Sequence, residues 1–201
     1  MSKKRMSNYK FEEFLNEKFN GDPNAVLKGY QYADPTDIFS RIKETEKSDA
    51  DGLKSIANEI VLWKLNRMIF VDESVLGELK DLSDIKTAED VVSQEEKRKK
   101  IEKLLKRLLT SKGLKLAMAS TFLHFFNPDV FPILDQRAYR VIFEEDYKQP
   151  TSVENQVETY FAYLDGCIKY YNAKLQGKID FSKIDQYLYQ LDKEIGNGVK
   201  M

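Results

Sequence analysis

Residues 104–126 read LLKRLLTSKGLKLAMASTFLHFF, and this stretch decides how the chain is expected to fold. Leucines recur at three- and four-residue steps in its first part, and a second apolar run goes from Leu116 to Phe126. Gly113 stands between the two runs, where a tight turn favours a residue that tolerates unusual backbone angles. The pattern predicts a helical hairpin, with a turn at Ser111–Lys115 joining two helices.

The segments outside the hairpin also repeat apolar residues with a helical period. Such stripes run from Leu53 to Trp63, from Ile101 to Leu109, from Val153 to Tyr171 and from Ile184 to Ile195. Alternating patterns bounded by hairpin turns, which are typical of strands, are missing from the sequence. We therefore predict an all-α fold, a multi-helix globular structure of about eight helices built around the hairpin.

Capping residues mark several of the expected helix ends. Thr87 precedes one helix, and Thr151 with Glu154 has the pattern of a capping box before another. Ser182 is expected to begin the last helix and Gly196 to end it.

Composition places the chain among globular proteins. Of its 201 residues, 42% are hydrophobic and 32% are charged, which leaves enough apolar mass for a core. Gly, Pro and Asp are frequent in residues 1–35, so we expect an irregular segment there, packed on the body. Residues 36–201 are expected to form that helical body, with the hairpin near 104–126.

Charge, cysteine content and hydropathy exclude several classes of protein. The formal net charge is −1, so global charge does not indicate a nucleic-acid partner. The single cysteine, Cys167, excludes an intramolecular disulfide and a cysteine-ligated metal or iron–sulfur site, and it fits a reducing cytoplasm. No apolar run reaches the roughly 18 residues of a membrane-spanning helix, and the N-terminus lacks the apolar core of a secretory signal. We expect a cytoplasmic monomer with no membrane partner, no metal and no other cofactor.

A strongly basic stretch leads into the hairpin. Nine basic residues and one acidic residue lie at positions 97–115, a local excess of eight positive charges. On a helix, Lys103, Lys106 and Arg107 share a face opposite the leucines, where they would neutralise DNA phosphates. A solvated helix face balanced by nearby acids is the alternative.

The turn has the layout of a phosphate-binding site. Backbone N–H groups at a glycine turn, together with the positive end of the following helix, bind phosphate without any side-chain charge. Lys112 and Lys115 would add two cations beside Gly113 and Leu114. The sequence thus predicts a phosphate contact at these four residues.

A single aspartate follows the hairpin after two prolines. Asn127-Pro128 and Phe131-Pro132 force an extended, turning connection. Asp135 then precedes QRAYRVIF, which is expected to be a helix, so it stands at an N-cap, a role worth about 1 kcal/mol. A catalytic role for this carboxylate is the alternative, and the residue pattern leaves both open.

The order of these features resembles the helix-hairpin-helix (HhH-GPD) DNA glycosylase superfamily. KGLKLAMASTFLHFF matches its hairpin and second helix, and FPILDQRAYRVI matches the segment with the catalytic aspartate. IVLWKLNR, around Trp63, resembles an earlier helix of some members. The resemblance is good over about 40 residues and fainter over about 80 more. It implies that the partner is double-stranded DNA, gripped by the hairpin, and that Asp135 takes the aspartate's role.

The chain departs from the family pattern at the hairpin. Lys115 replaces the second glycine of the usual glycine–any–glycine turn, and Lys112 stands where proline is common. Members that cleave the DNA backbone have a lysine nucleophile where this chain has Ala117. The resemblance therefore implies a monofunctional DNA N-glycosylase, a hydrolase that releases a damaged or modified base. Lys115 as a Schiff-base nucleophile is the minority alternative.

In such an enzyme, Asp135 would stabilise the oxocarbenium-like state and orient the attacking water. Base flipping would bring the target base onto aromatic side chains, and Arg137 would reach a phosphate beside the flipped nucleotide. The candidates for the base pocket are Tyr30, Tyr32, Trp63 and Tyr139. Core packing is the alternative for Trp63, and a helix-surface salt bridge is the alternative for Arg137.

Two other functions remain open: a non-catalytic helix-hairpin-helix DNA-binding module, and a helical interaction protein with no role on DNA. For the enzyme, alkylated bases and bulky modified pyrimidines are the substrate classes considered. The second class includes the hypermodified bases of viral DNA, which would mean antiviral defence rather than base excision in DNA repair.

Overall fold

The computed structural model describes residues 11–29, 35–64, 71–111 and 113–196. Within these ranges the chain forms eleven α-helices, two short 3-10 helices and one π-helical turn, with no strand. The α-helices are α1 (Phe11–Phe19), α2 (Pro23–Leu27), α3 (Thr36–Glu44), α4 (Ala50–Lys64), α5 (Glu73–Lys80), α6 (Ala88–Ser93), α7 (Glu95–Thr110), α8 (Leu116–Phe126), α9 (Gln136–Phe143), α10 (Val153–Tyr170) and α11 (Ile184–Glu194). The all-α prediction is confirmed, with more helices than the sequence pattern indicated. Tyr30, Tyr32 and Lys112, which were predicted as site residues, lie outside the described residues.

The hairpin helices begin and end where the sequence pattern places them. Helix α7 ends at Thr110 and α8 begins at Leu116, so the turn lies at residues 111–115. Gly113 has φ +89°, which a residue without a Cβ adopts at low cost. Leu114 is 4% exposed and fixes the turn to the core. Whether the two helices form the DNA-gripping arrangement of the HhH-GPD family stays a prediction.

The N-terminal segment contains two helices, so the expectation of an irregular structure is wrong for residues 11–29. Helix α2 begins because Asp22 accepts the N–H of Asn24 at 2.9 Å and Pro23 stands at the first helical position. In α1, Phe11 and Leu15 lie one turn apart and are both buried. The Gly, Pro and Asp content that was interpreted as a loop marks helix starts and turns.

Both helices pack on the body, as expected. Lys18 of α1 pairs with Glu194 of α11 at 2.8 Å, and Glu12 pairs with Lys174 at 2.8 Å. The division of the chain at residue 35 stays a prediction.

Helix α8 lies at the centre of the fold. All but one of its residues are buried, and α3, α4, α5, α7 and α10 pack around it. A helix that is apolar all round is stable only when it is enclosed in this way. Helices α9 and α11 pack closely against each other beside it.

Two of the predicted caps are confirmed and two are displaced. The Thr87 side chain accepts the N–H of Asp90, and Gly196 follows the end of α11 with φ +78°. Ser152, not Thr151, caps α10 by accepting the N–H of Asn155 at 3.1 Å. A 3-10 turn occupies residues 181–183 and delays the start of α11 beyond Ser182. None of the described helices is long and apolar enough to cross a membrane.

Candidate functional site

Most of the chain between α8 and α9 is buried although it is not helical. Its residues 131–134, called here the FPIL segment, are all buried. Because buried backbone groups need hydrogen-bond partners, this segment depends on side chains from its neighbours. Three carbonyls have such partners: Phe131 O lies 2.9 Å from His124 Nδ1, Pro132 O accepts from the Tyr160 hydroxyl at 3.2 Å, and Ile133 O accepts from the Tyr163 hydroxyl at 3.0 Å.

Two amides of the FPIL segment also donate to buried side chains. The N–H of Ile133 donates to Asp185 Oδ2 at 3.2 Å, and the N–H of Leu134 donates to Ser120 Oγ at 2.9 Å. Asp185 is 5% exposed and Ser120 is fully buried. The segment is therefore fixed to α8, α10 and α11 at once.

The FPIL segment runs back along α8 towards the hairpin. Phe131 contacts His124, and three residues later Leu134 contacts Ser120, one turn nearer the start of α8. Ser120 lies about 6 Å along the helix axis from Leu116. Asp135, the next residue, thus follows a contact in the half of α8 that is nearer the hairpin turn.

Asp135 is half-buried and caps α9, so the N-cap prediction is confirmed. Its backbone is extended, and Oδ1 accepts the N–H of Arg137 at 2.8 Å. Its other oxygen, Oδ2, has no hydrogen-bond partner in the part of the chain that the structure describes. The cap therefore orients the carboxylate and engages only one of its two oxygens.

The start of α8 offers backbone N–H groups without a side-chain cap. Six helices begin with a side chain that accepts such a group, namely α2, α4, α5, α6, α9 and α10. Lys115, the N-cap residue of α8, makes no side-chain cap, and the first turn of α8 has no acidic residue. The first helical bond runs from Ala119 N to Lys115 O, so the preceding amides have no partner within the helix. Lys115 and Gly113 are exposed beside them, and the positive end of the dipole adds to their charge.

The basic stretch is partly neutralised by neighbouring acids. Lys97 pairs with Asp90, Arg98 with Glu102 and Lys99 with Glu95. Four exposed lysines have no ion pair among the described residues: Lys100, Lys103, Lys106 and Lys115. The local excess of charge is therefore smaller in the fold than the sequence count suggests.

Arg107 faces α5. It pairs with Glu78, donates to Ser74 Oγ at 2.5 Å and lies 3.7 Å from Asp72. Its contact with DNA stays a prediction, and it would require Arg107 to leave these partners.

Arg137 also has partners inside the protein. It reaches Asp192 of α11 at 3.3 Å, and its guanidinium lies 5.5 Å from the ring centre of Tyr189. Its side chain is 17% exposed, whereas Asp192 is fully buried. The contact is a partly buried ion pair rather than the surface salt bridge considered as the alternative, and the phosphate contact stays a prediction.

Tyr139 belongs to an aromatic cluster that begins one helical turn after Asp135. Its ring lies 4.4 Å from Phe143, 5.1 Å from Tyr147 and 6.4 Å from Tyr163, with which it is stacked. Burial raises the pKa of Tyr139, and Glu145, which accepts its hydroxyl, adds to the effect. Burial raises the pKa of Tyr147 to about 12. Both rings are half-buried, so the cluster presents a neutral aromatic surface near Asp135.

Trp63 lies on a different part of the molecule. It packs edge-on against Phe125 at 5.0 Å and covers the core from α4. His124 is 2% exposed and holds the FPIL segment, as expected for a structural residue. Among the predicted aromatic candidates within the described residues, Tyr139 is the one near Asp135.

Sequence reasoning missed Ser120 and Asp185. Asp185 lies near the expected start of the last helix and Ser120 lies inside an apolar run, and neither position has a local signal of a site residue. Their partners lie 52 and 14 residues away in the chain, so no local spacing indicates them.

Two clefts lie on the side of the molecule formed by α3, α4 and α5. One, of about 390 Å³, is lined by Arg41, Glu44, Thr45, Glu46 and Asp49. The other, of about 400 Å³, lies between α4 and α5, beside Lys47 and Gly77. Neither is lined by Asp135 or by the hairpin turn.

Comparisons with protein families, with characterised proteins and with solved structures find no match for this chain.

Proposed function

We propose that this protein is a monofunctional DNA N-glycosylase that hydrolyses the N-glycosidic bond of a damaged or modified base. One observation supports this most: the FPIL segment anchors the residue before Asp135 to Ser120, in the half of α8 that begins with the uncapped first turn after the exposed Gly113. The proposed phosphate-binding turn and the oriented carboxylate would then act on the same stretch of a DNA strand, as a reaction at one nucleotide requires.

Asp135 would act through the oxygen that its cap leaves available. Cleavage of the bond builds positive charge on the sugar, and an oriented carboxylate stabilises that charge and positions the attacking water. The bond from Oδ1 to the Arg137 N–H fixes the direction of Oδ2. Tyr139 and its neighbours would stack on the extruded base.

The DNA strand would be held by the first turn of α8 and by the four exposed lysines of α7 and the turn. Ala117 occupies the position from which a lysine nucleophile would act, so the proposed product is an abasic site. Lys115 is the N-cap residue of α8 and has an extended backbone. Schiff-base chemistry at this lysine is the minority alternative.

Asp135→Asn tests the proposal, because asparagine is also a good N-cap and preserves the fold. The variant and the wild-type protein are incubated with DNA duplexes carrying a panel of alkylated and bulky modified bases, and released bases are measured by mass spectrometry. We expect the wild-type protein to release at least one base, and the variant to bind the same DNA without releasing it. Equal release by a folded Asp135→Asn protein would refute the assignment.

Borohydride trapping distinguishes the two chemistries. A monofunctional enzyme forms no covalent adduct, whereas an adduct that is lost in Lys115→Ala would identify Lys115 as a nucleophile.

A non-catalytic DNA-binding module is the second candidate. Its specific support is that Asp135 already serves as a helix cap, while the two clefts described above lie elsewhere. Salt-dependent DNA binding with no base release from any duplex of the panel would favour it.

A further inference from the structure

The Asp185 carboxylate lies in the protein interior and accepts hydrogen bonds from two backbone amides. Oδ1 accepts the N–H of Gln186 at 2.9 Å, and Oδ2 accepts the N–H of Ile133 at 3.2 Å. Burying an ionisable group is costly unless hydrogen bonds replace its hydration. The bond to Gln186 is local to α11, whereas the bond to Ile133 reaches a segment 52 residues away that α11 does not need for its own structure.

Ser120 makes a similar connection from the opposite helix. Its hydroxyl accepts the N–H of Leu134 at 2.9 Å and donates to Ala117 O at 2.8 Å. The hydroxyl has one proton, so the donation to Ala117 directs a lone pair at Leu134. Leu134 is thereby tied to the first turns of α8.

Asp185 and Ser120 accept hydrogen bonds from two consecutive amides, those of Ile133 and Leu134, from opposite sides of the segment. In extended backbone, successive N–H groups point in opposite directions. One is held by α11 and the other by α8, so the segment cannot rotate about its own axis without breaking one of them. Asp135 follows directly, and its direction depends on this rotation.

We infer that Asp185 and Ser120 are positioning residues that aim the Asp135 carboxylate. This inference rests on the proposed function, and it assigns the two side chains a part in the reaction rather than in stability alone.

Asp185→Asn and Ser120→Ala test it in the full-length protein. Asparagine has the shape of aspartate but places an N–H group against one of the two amides, so a bond is lost without a cavity. We expect single-turnover base release by the folded fraction to fall about 10- to 100-fold, because small misplacements of a reacting group are costly. DNA affinity, measured on the same duplex, should not change.

Leu175→Ala is the matched control, because Leu175 is fully buried in the π-helical turn after α10, which gives the FPIL segment no hydrogen bond within the described ranges. It should destabilise the protein and leave the rate of the folded fraction unchanged. Combining either positioning variant with Asp135→Asn should add no further loss of rate.

Hydrogen exchange gives a readout that needs no enzyme activity. The Ile133 amide should exchange faster in Asp185→Asn, and the Leu134 amide should exchange faster in Ser120→Ala. Unchanged exchange, or rates that follow the pattern of Leu175→Ala, would overturn the inference while Asp135→Asn still abolishes base release. Base release that survives Asp135→Asn would overturn the proposed function and this inference together.

Discussion

Arg140 and Asp192 form a bidentate ion pair in the interior between α9 and α11. Arg140 Nε lies 2.8 Å from Oδ1, and Nη2 lies 2.8 Å from Oδ2. The parallel geometry is the stronger form of such a pair. Arg140 also contacts Asp146 at 3.0 Å, and Arg137 shares Asp192. The cluster therefore fastens α9, which Asp135 caps, to the helix that contains Asp185.

Asp192→Ala should lower the free energy of unfolding by about 3–5 kcal/mol, because it removes the fully buried carboxylate that Arg140 and Arg137 share. Urea unfolding monitored by circular dichroism measures the loss. Asp165→Ala is the control, since Asp165 pairs with Lys169 on the surface, and it should cost less than about 1 kcal/mol. Similar losses in both variants would contradict the importance of the buried cluster.

Ser152→Ala should destabilise the protein by about 1 kcal/mol, because the N–H of Asn155 loses its acceptor. Thr151→Ala, one residue earlier, should have a much smaller effect. Thermal unfolding of the two variants under the same conditions compares them, and an equal effect would mean that the cap is not at Ser152.

The four lysines without an ion pair predict the salt dependence of DNA binding. With one phosphate neutralised by each, the slope of log K against log salt concentration should be about −3.6. Lys103→Ala or Lys106→Ala should reduce its magnitude by about 0.9. Fluorescence anisotropy between about 50 and 200 mM salt measures the slope. Lys169→Ala is the control and should leave it unchanged, and a slope near zero would exclude this face as the DNA contact.

Glu78→Gln should strengthen DNA binding, because it releases Arg107 to reach a phosphate. The magnitude of the salt slope should rise by about 0.9. Glu73→Gln removes the same charge from α5, but Glu73 pairs with Lys54 rather than with Arg107. If both variants change the slope equally, the effect comes from the loss of a negative charge on α5. In that case the release of Arg107 adds no contact with a DNA phosphate.

Stability should fall as the pH rises above about 10, the ordinary pKa of tyrosine. Burial raises the pKa of Tyr160 and Tyr163 well above that value, and that of Tyr147 to about 12. Above pH 10 the unfolded chain loses phenolic protons that the folded chain retains, so folding becomes less favourable. Urea unfolding below and above pH 10 tests the sign, and the dependence should be weaker in Tyr160→Phe. Constant stability across this window would show that these hydroxyls ionise without unfolding.

Sequence patterns predicted the structural features that depend on residues close together in the chain. The ends of α7 and α8, the extent of α9 and the cap at Asp135 follow from residue spacing, turn residues and capping chemistry. These features involve groups no more than a few residues apart, which is the range over which a pattern can be interpreted.

The partners of the charged site residues were not predictable in this way. Arg107 and Glu78 are 29 residues apart, and Arg137 and Asp192 are 55 apart. Which helix faces which depends on how the whole core packs, and a stripe of leucines does not specify it. The sequence therefore indicated more basic side chains available for a DNA contact than the fold leaves without an acidic partner among the described residues.

The FPIL segment also restricts how the length of this chain can change. Asn127, four residues before the segment, donates to Leu82 O at 2.7 Å and Ile85 O at 2.9 Å, and each residue of the segment has a partner of its own. An insertion or deletion of one residue there would shift the later residues by about 3.3 Å. It would also turn their side chains and N–H groups to the opposite side of the extended segment.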